Sequence, residues 1–262
     1  VNLIEARALC VDFAGRRVLG PVDVDLAEGQ LVGLVGPNGA GKSSLLKALA
    51  GLVGSASASC ALRGQPIARM DDGARARAIG YLPQQPSVAW RLSVRELVTL
   101  GRLPHGDGTL DAGRKAVDDA LAALGLVAHE QRDVRTLSGG EAMRGHLARL
   151  VAGRHHLLLV DEPTAALDPA YQLEVLDYLR RLAGSGHTAL LVLHDLPLAA
   201  RYCDRVLVLD AGRIVGEGPP VSTLDDGLLA RVFKVRGIRA RVDGVDALVG
   251  ISSLTAPQEP AP

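Results

Sequence analysis

Gly36-Pro37-Asn38-Gly39-Ala40-Gly41-Lys42-Ser43 is the segment that most restricts what this 262-residue chain can become. Before it, Leu31-Val32-Gly33-Leu34-Val35 has the length and unbroken apolarity of a buried strand. After it, Ser43 to Ala50 reads as a helix with Leu45, Leu46 and Leu49 on one side. A complete G-x-x-x-x-G-K-[ST] between strand and helix is a phosphate loop. Its glycines let successive backbone N–H groups turn toward one anion, and the helix N-terminus adds partial positive charge there. Lys42 is placed for the β- and γ-phosphates of a nucleotide, and the Ser43 hydroxyl for Mg²⁺. Residues Gly36 to Ser44 are therefore expected to hold the phosphates. An ordinary Gly-rich turn explains the glycines but not the full pattern.

Two further strand ends carry chemistry. Leu157-Leu158-Leu159-Val160 has the shape of a buried parallel strand, and it delivers Asp161-Glu162 to the C-terminal edge of a sheet. Doubly wound folds bind ligands at that edge. Asp161 is placed to hold Mg²⁺, mainly through water, and Glu162 to polarise an attacking water. A pair of acids capping the turn at Pro163 is the competing reading, and the complete phosphate loop outweighs it. Ala189-Leu190-Leu191-Val192-Leu193 repeats the pattern and brings His194-Asp195 to the same edge. His194, one strand beyond Glu162, is expected to touch the γ-phosphate rather than serve the core.

Composition narrows the context. Apolar residues make up 48% of the chain, but no apolar run exceeds six residues. A transmembrane helix needs roughly 20. Glu5, Arg7 and Asp12 interrupt any signal-peptide core. Cys10, Cys60 and Cys203 are scattered and lack metal-ligand spacing, which fits a reducing compartment. With 29 basic and 29 acidic residues, the overall footprint of a nucleic-acid binder is missing. No nucleic-acid partner is expected.

Leu137-Ser138-Gly139-Gly140-Glu141 completes the set. Ser138 and the two glycine amides stand before a helix expected to begin near Glu141, a second terminus suited to an anion. With this segment the chain resembles the nucleotide-binding subunit of an ABC transporter from about residue 3 to about 235. The resemblance implies an α/β P-loop ATPase core with a flanking antiparallel β subdomain and an inserted α-helical subdomain. It places Phe13 where an aromatic residue stacks on adenine, and Gln84, in Tyr81-Leu82-Pro83-Gln84, where a glutamine senses Mg²⁺ and links the site to a membrane partner. Ala166-Leu167-Asp168 match the loop that crosses a dimer interface, and His194 the switch histidine. Glu141 and Met143 stand where glutamine is frequent in the family. The implied working form is two copies head to tail, with Ser138 to Gly140 of one facing the ATP held by the other. ATP and Mg²⁺ are the implied ligands. The implied partners are a multi-span permease and, indirectly, a substrate-binding protein, at the cytoplasmic face of a bacterial inner membrane.

The rest of the chain reads coarsely. Residues 1–30 alternate as short strands. Gly51 to Ser59 is a small-residue loop. Residues 86–151 turn helical, with Ala116, Val117, Ala120, Leu121 and Leu124 on one face and Leu147, Leu150 and Val151 on another. A later helix carries a packing stripe of Leu173, Val175, Leu176, Leu179 and Leu182. Arg205 to Val215 reads as a hairpin around Asp210-Ala211-Gly212, and Arg239 to Ile251 as another turning at Asp243-Gly244. The divisions are thus 1–235 for the cassette, with the helical part at about 86–151, then 236–254 for a short β extension. The Pro-rich 255–262 is expected to be a disordered tail. Glu96 to His105 and Leu228 to Val235 resemble stretches of importers for iron–siderophore complexes, haem and vitamin B12. Trp90 is either a permease contact or a plug of the helical lobe, and His155-His156 are expected to face solvent. The alternative to a transport ATPase is a soluble ABC ATPase of DNA repair or translation. Such proteins carry a second cassette, a long insertion or a basic tail, and none is seen here.

Overall fold

The computed structural model describes residues 1–53, 59–165, 167–242 and 245–254, with the side chains of Val242, Val245 and Asp246 excepted. Part of the small-residue loop, Ala166, the Asp243-Gly244 turn and the segment from Thr255 onward lie outside the described residues. Strands β1 (Asn2–Phe13) and β2 (Arg16–Ala27) pair antiparallel, and β4 (Ser59–Leu62) and β5 (Gln65–Pro66) extend them in the order β2-β1-β4-β5. The sequence suggests several short strands here, yet each of the first two runs 12 residues. Register shifts along the ladder absorb the broken alternation, since a bulge lets a strand continue while changing which face a side chain meets.

The second sheet has the order β10-β9-β3-β8-β7-β6. Its members are β3 (Leu31–Val35), β6 (Ile79–Leu82), β7 (Leu157–Asp161), β8 (Thr188–Val192), β9 (Arg205–Asp210) and β10 (Arg213–Gly218). All neighbours are parallel except β9 and β10, a hairpin turned at Ala211 and Gly212, both left-handed. β3, β7 and β8 are buried at every position, as strands covered on both faces must be. Alternation sorts their side chains. Val32, Leu34, Leu157, Leu159, Leu190 and Val192 join α1 (Lys42–Leu49) and the antiparallel sheet in one core. Leu158, Val160, Ala189 and Leu191 join the helices of the opposite face in another.

α2 (Asp72–Ala78) precedes β6; α3 (Val94–Thr99), α4 (Asp111–Ala123) and α5 (Gly139–Ala152) form the helical lobe between β6 and β7. Regular helix does not start at residue 86. Pro83 and Pro86 favour extended backbone, and the first helix waits for Ser93, whose side chain closes a capping box with Glu96. Ala116, Val117, Ala120 and Leu121 are buried along α4, and Val175, Leu176 and Leu179 along α6 (Pro169–Gly184). Leu173 and Leu182 pack on the same core while half-buried. After α7 (Leu196–Tyr202), β11 (Val235–Val242) and β12 (Val245–Ser253) form a separate hairpin whose second strand packs on α7.

His155 is a correction. His156 is exposed, but His155 is buried between β6 and the end of α5, with Nδ1 at 3.2 Å from the Arg77 carbonyl. Gly80 makes room, because a Cβ there would lie 2.3 Å from the imidazole. Burial pulls the His155 pKa down to about 4. Among the described residues no helix is long and apolar enough to cross a membrane.

Candidate nucleotide site

β3 ends in the phosphate loop, and β7 and β8 end beside it, as parallel neighbours in register must. Between them opens a cleft of about 680 Å³ lined by Val18, Asn38 to Ser44, Gln84, Glu162 and His194. The loop's conformation needs its glycines. Gly36 and Gly41 have φ of 158° and 103°, and a Cβ would fall 2.0 Å from the Leu209 carbonyl oxygen at the first and 2.8 Å from that of Val18 at the second. α1 has no side-chain cap, and its first bonded donor is the Leu45 N–H on the Gly41 carbonyl at 2.9 Å. The N–H groups of residues 42–44 thus precede the hydrogen-bond ladder of the helix. They stand where an anion would use them.

Lys42 is buried and donates to the carbonyls of Gly36 at 2.8 Å and Pro37 at 2.9 Å. Burial lowers its pKa, opposed by the charges of Glu162 and Asp161. Two curled-back carbonyls hold a cation that phosphate oxygens are better fitted to satisfy.

Asp161 lies beneath the loop with 2% exposure, and its Oδ1 has no partner. Burial raises its pKa, while the Ser43 hydroxyl works the other way. Behind it, Tyr81 has a buried, unpartnered hydroxyl pushed to about 12 by burial and by the Asp161 charge. A buried carboxylate oxygen without a hydrogen-bond partner is costly. All-oxygen groups of this kind suit hydrated Mg²⁺, so the residues present fit that ion.

Glu162 is the most constrained side chain of the cleft. Its backbone is left-handed at φ 53°, a conformation that costs energy in a residue other than glycine and that clusters at functional sites. His194 Nε2 lies 2.6 Å from Oε1, and Gln84 Nε2 donates to Oε2 at 2.7 Å. Residues 78 and 32 positions away in sequence thus meet one carboxylate. No local pattern foretold that junction, nor the part of Val18 in the wall.

Other expected site residues stand elsewhere. Phe13 is 75% exposed at the end of β1 and does not line the cleft. Ser138 and Gly139 are exposed at the start of α5, away from the cleft lining. α5 begins at Gly139 rather than near Glu141, because Ser138 accepts from the Glu141 N–H at 3.2 Å while the Glu141 carboxylate accepts from the Ser138 N–H at 2.8 Å. Asp168 is exposed and N-caps α6 by position, without a side-chain bond to it. Trp90 is 74% exposed, so it plugs nothing.

A family profile described as ABC transporter matches residues 19–165. The chain is 41% identical over 236 residues to the cobalamin import ATP-binding protein BtuD of Halobacterium salinarum, covering 89% of this chain and 59% of that protein. The chain thus spans about three fifths of that relative. It is 43% identical over 232 residues to the hemin import ATP-binding protein HmuV of Streptomyces coelicolor, covering 88% and 83%. A solved ATP-binding subunit of an ABC transporter superposes with a TM-score of 0.76 at 26% identity, covering 86% of this chain and 92% of that one.

Proposed function

The chain belongs to the ABC transporter family, and from that premise we propose that it is the ATP-hydrolysing subunit of an importer for a metal chelate such as haem or cobalamin. The observation that carries the catalytic part is Glu162, held in a left-handed backbone between Gln84 and His194 at the mouth of the phosphate-loop cleft. The two import subunits named above support the cargo class, as does the resemblance of Glu96 to His105. Residues 1–235 form the cassette in this reading, with the helical part at about 86–151, and 236–254 the extension.

ATP enters as substrate, its phosphates on the Asn38 to Ser44 amides and its adenine toward Phe13. Lys42 exchanges its two carbonyls for phosphate oxygens. Mg²⁺, when bound, offsets charge on the phosphates and would be held by Ser43 and Gln84, with Asp161 acting through water. For Gln84 to do so it must leave Glu162, freeing one carboxylate oxygen. Glu162 then orients a water and takes its proton as the water oxygen bonds to the γ-phosphorus and the bond to the ADP oxygen breaks, while His194 turns its Nε2–H from Glu162 to the γ-phosphate. The Ser138 hydroxyl and the Gly139 and Gly140 amides of a second copy face that phosphate, and Asp168 lies on the loop between copies. Closure is passed through Gln84 and the exposed Trp90 to a membrane permease fed by a binding protein, with this chain peripheral on the cytoplasmic face.

Reconstitution with the neighbouring permease in vesicles tests the reading. Haem or cobalamin presented with its binding protein should raise ATP turnover. Turnover indifferent to every metal chelate would remove the cargo assignment and leave the ATPase.

A further inference from the structure

Arg144 lies one and a half turns into α5, beyond the Ser138 cap, and is buried to 7% exposure. Its Nη1 donates to the Leu124 carbonyl at the end of α4, at 3.2 Å. Its Nε is buried with no partner. The guanidinium instead lies over the ring of Tyr171, 4.1 Å from the centroid. Tyr171 sits in the first turn of α6, three residues after Asp168. The next residue, Gln172, donates to the carbonyls of Thr164 at 3.2 Å and Leu167 at 3.0 Å, so the turn that holds the ring also holds the loop after Glu162. A line of contacts thus joins the helix begun by Ser138 to Thr164 and Leu167, just downstream of Glu162.

A buried guanidinium with a bare Nε is poorly served by hydrogen bonds alone, and a desolvated ring face is where its charge gains most. We propose that the Arg144–Tyr171 stack is a positioning contact that fixes the start of α5 relative to Thr164 and Leu167, just downstream of Glu162. In this way the surface offered to the second copy is set by the same element that holds the hydrolytic loop. Neither residue lines the phosphate-loop cleft. The inference rests on the two-copy ATPase proposed above.

Tyr171 is 37% exposed, so its replacement leaves the core intact and the test clean. Turnover, ATP affinity of the isolated subunit, melting temperature and ATP-driven dimer formation in the Glu162→Gln background are measured for Tyr171→Phe and Tyr171→Leu. Tyr171→Phe keeps the ring and should match the parent. Tyr171→Leu should lose several-fold in turnover, about the scale of a cation–π contact on a partly exposed ring. Its ATP affinity should stay unchanged, and dimer formation should need more ATP. Arg144→Lys, which keeps charge but not the planar stack, should resemble Tyr171→Leu. Parent-like behaviour of Tyr171→Leu would overturn the proposal. So would equal losses in Tyr171→Phe, weakened ATP binding, or a melting-temperature drop that accounts for the lost turnover. A parent protein with no ATP turnover at all would instead sink the ATPase reading itself.

Discussion

Two helix N-termini in this molecule look alike in sequence and differ in what they leave open. α1 starts after Gly41 with no side-chain cap, its early N–H groups facing the cleft and Lys42 curled beside them. α5 starts after Ser138 with a closed capping box, in which Ser138 and Glu141 satisfy each other's N–H groups. The amides of Gly139 and Gly140 stand outside that exchange. The first terminus therefore has a cation, a cleft and a neighbouring carboxylate around it. The second is a finished helix start presenting two glycine amides on an exposed surface. A terminus that binds by itself must be left unsatisfied, whereas one that completes another molecule's site can be stable beforehand.

Three substitutions and one titration can break or sharpen this contrast. The largest effect is expected at Glu162, beside the first of these termini. Glu162→Gln keeps the shape and should reduce turnover by roughly 10²–10⁴-fold, the scale of a general base. ATP binding should persist and an ATP-held dimer should accumulate, seen by size-exclusion chromatography with ATP against ADP. A monomer under ATP, or parent-like turnover, would remove the role given to Glu162.

Ser138→Arg comes next. It places a long cation where two copies would meet, and turnover should fall by about 10²-fold, as for loss of an anion-stabilising donor set. Affinity for ATP in the isolated subunit should not change. If ATP binding weakens as much as turnover, the two termini do not divide the work as described.

Lys42→Ala should do the opposite. ATP binding should weaken by roughly 10–100-fold with the loss of a charged hydrogen bond, while the fold stays intact by circular dichroism. Unchanged affinity in a folded protein would end the assignment of the cleft.

The last test reads stability rather than turnover and concerns what lies behind the termini. α5 carries His146, buried to 2% exposure with its Nδ1 unpartnered, and its pKa is pulled to about 4 by burial and then by Arg149. His155 is held at about 4 by burial as well. Both lie below the ordinary value of about 6.5, so between those limits the unfolded chain binds more protons. Stability is complete above about pH 6.5 and is lost as pH falls toward 4, by on the order of 3 kcal/mol for each imidazole. Urea unfolding at pH 7 and pH 5 measures the slope, which His146→Leu should reduce by about half.

Much of the site was legible in the chain because its parts are local. A phosphate loop is eight consecutive residues, and an apolar run ending in Asp161-Glu162 or His194 names both a strand and what that strand delivers. Hairpins were readable where the turn chemistry is local, as at Ala211-Gly212. The N-terminal strands were read too short because pairing across a bulge is decided by the partner strand. The burial of His155 was missed because it depends on a missing Cβ at Gly80, far away in sequence.

The sequence by itself determined which groups reach the sheet edge, since backbone conformation and apolar spacing act over a few residues. Only the tertiary structure decided which of them meet. Gln84 and His194 converge on Glu162 because parallel strands β6, β7 and β8 end side by side, and Arg144 finds Tyr171 because the helical lobe packs against α6. Those contacts belong to the packing of whole elements, which no single stretch of the chain encodes.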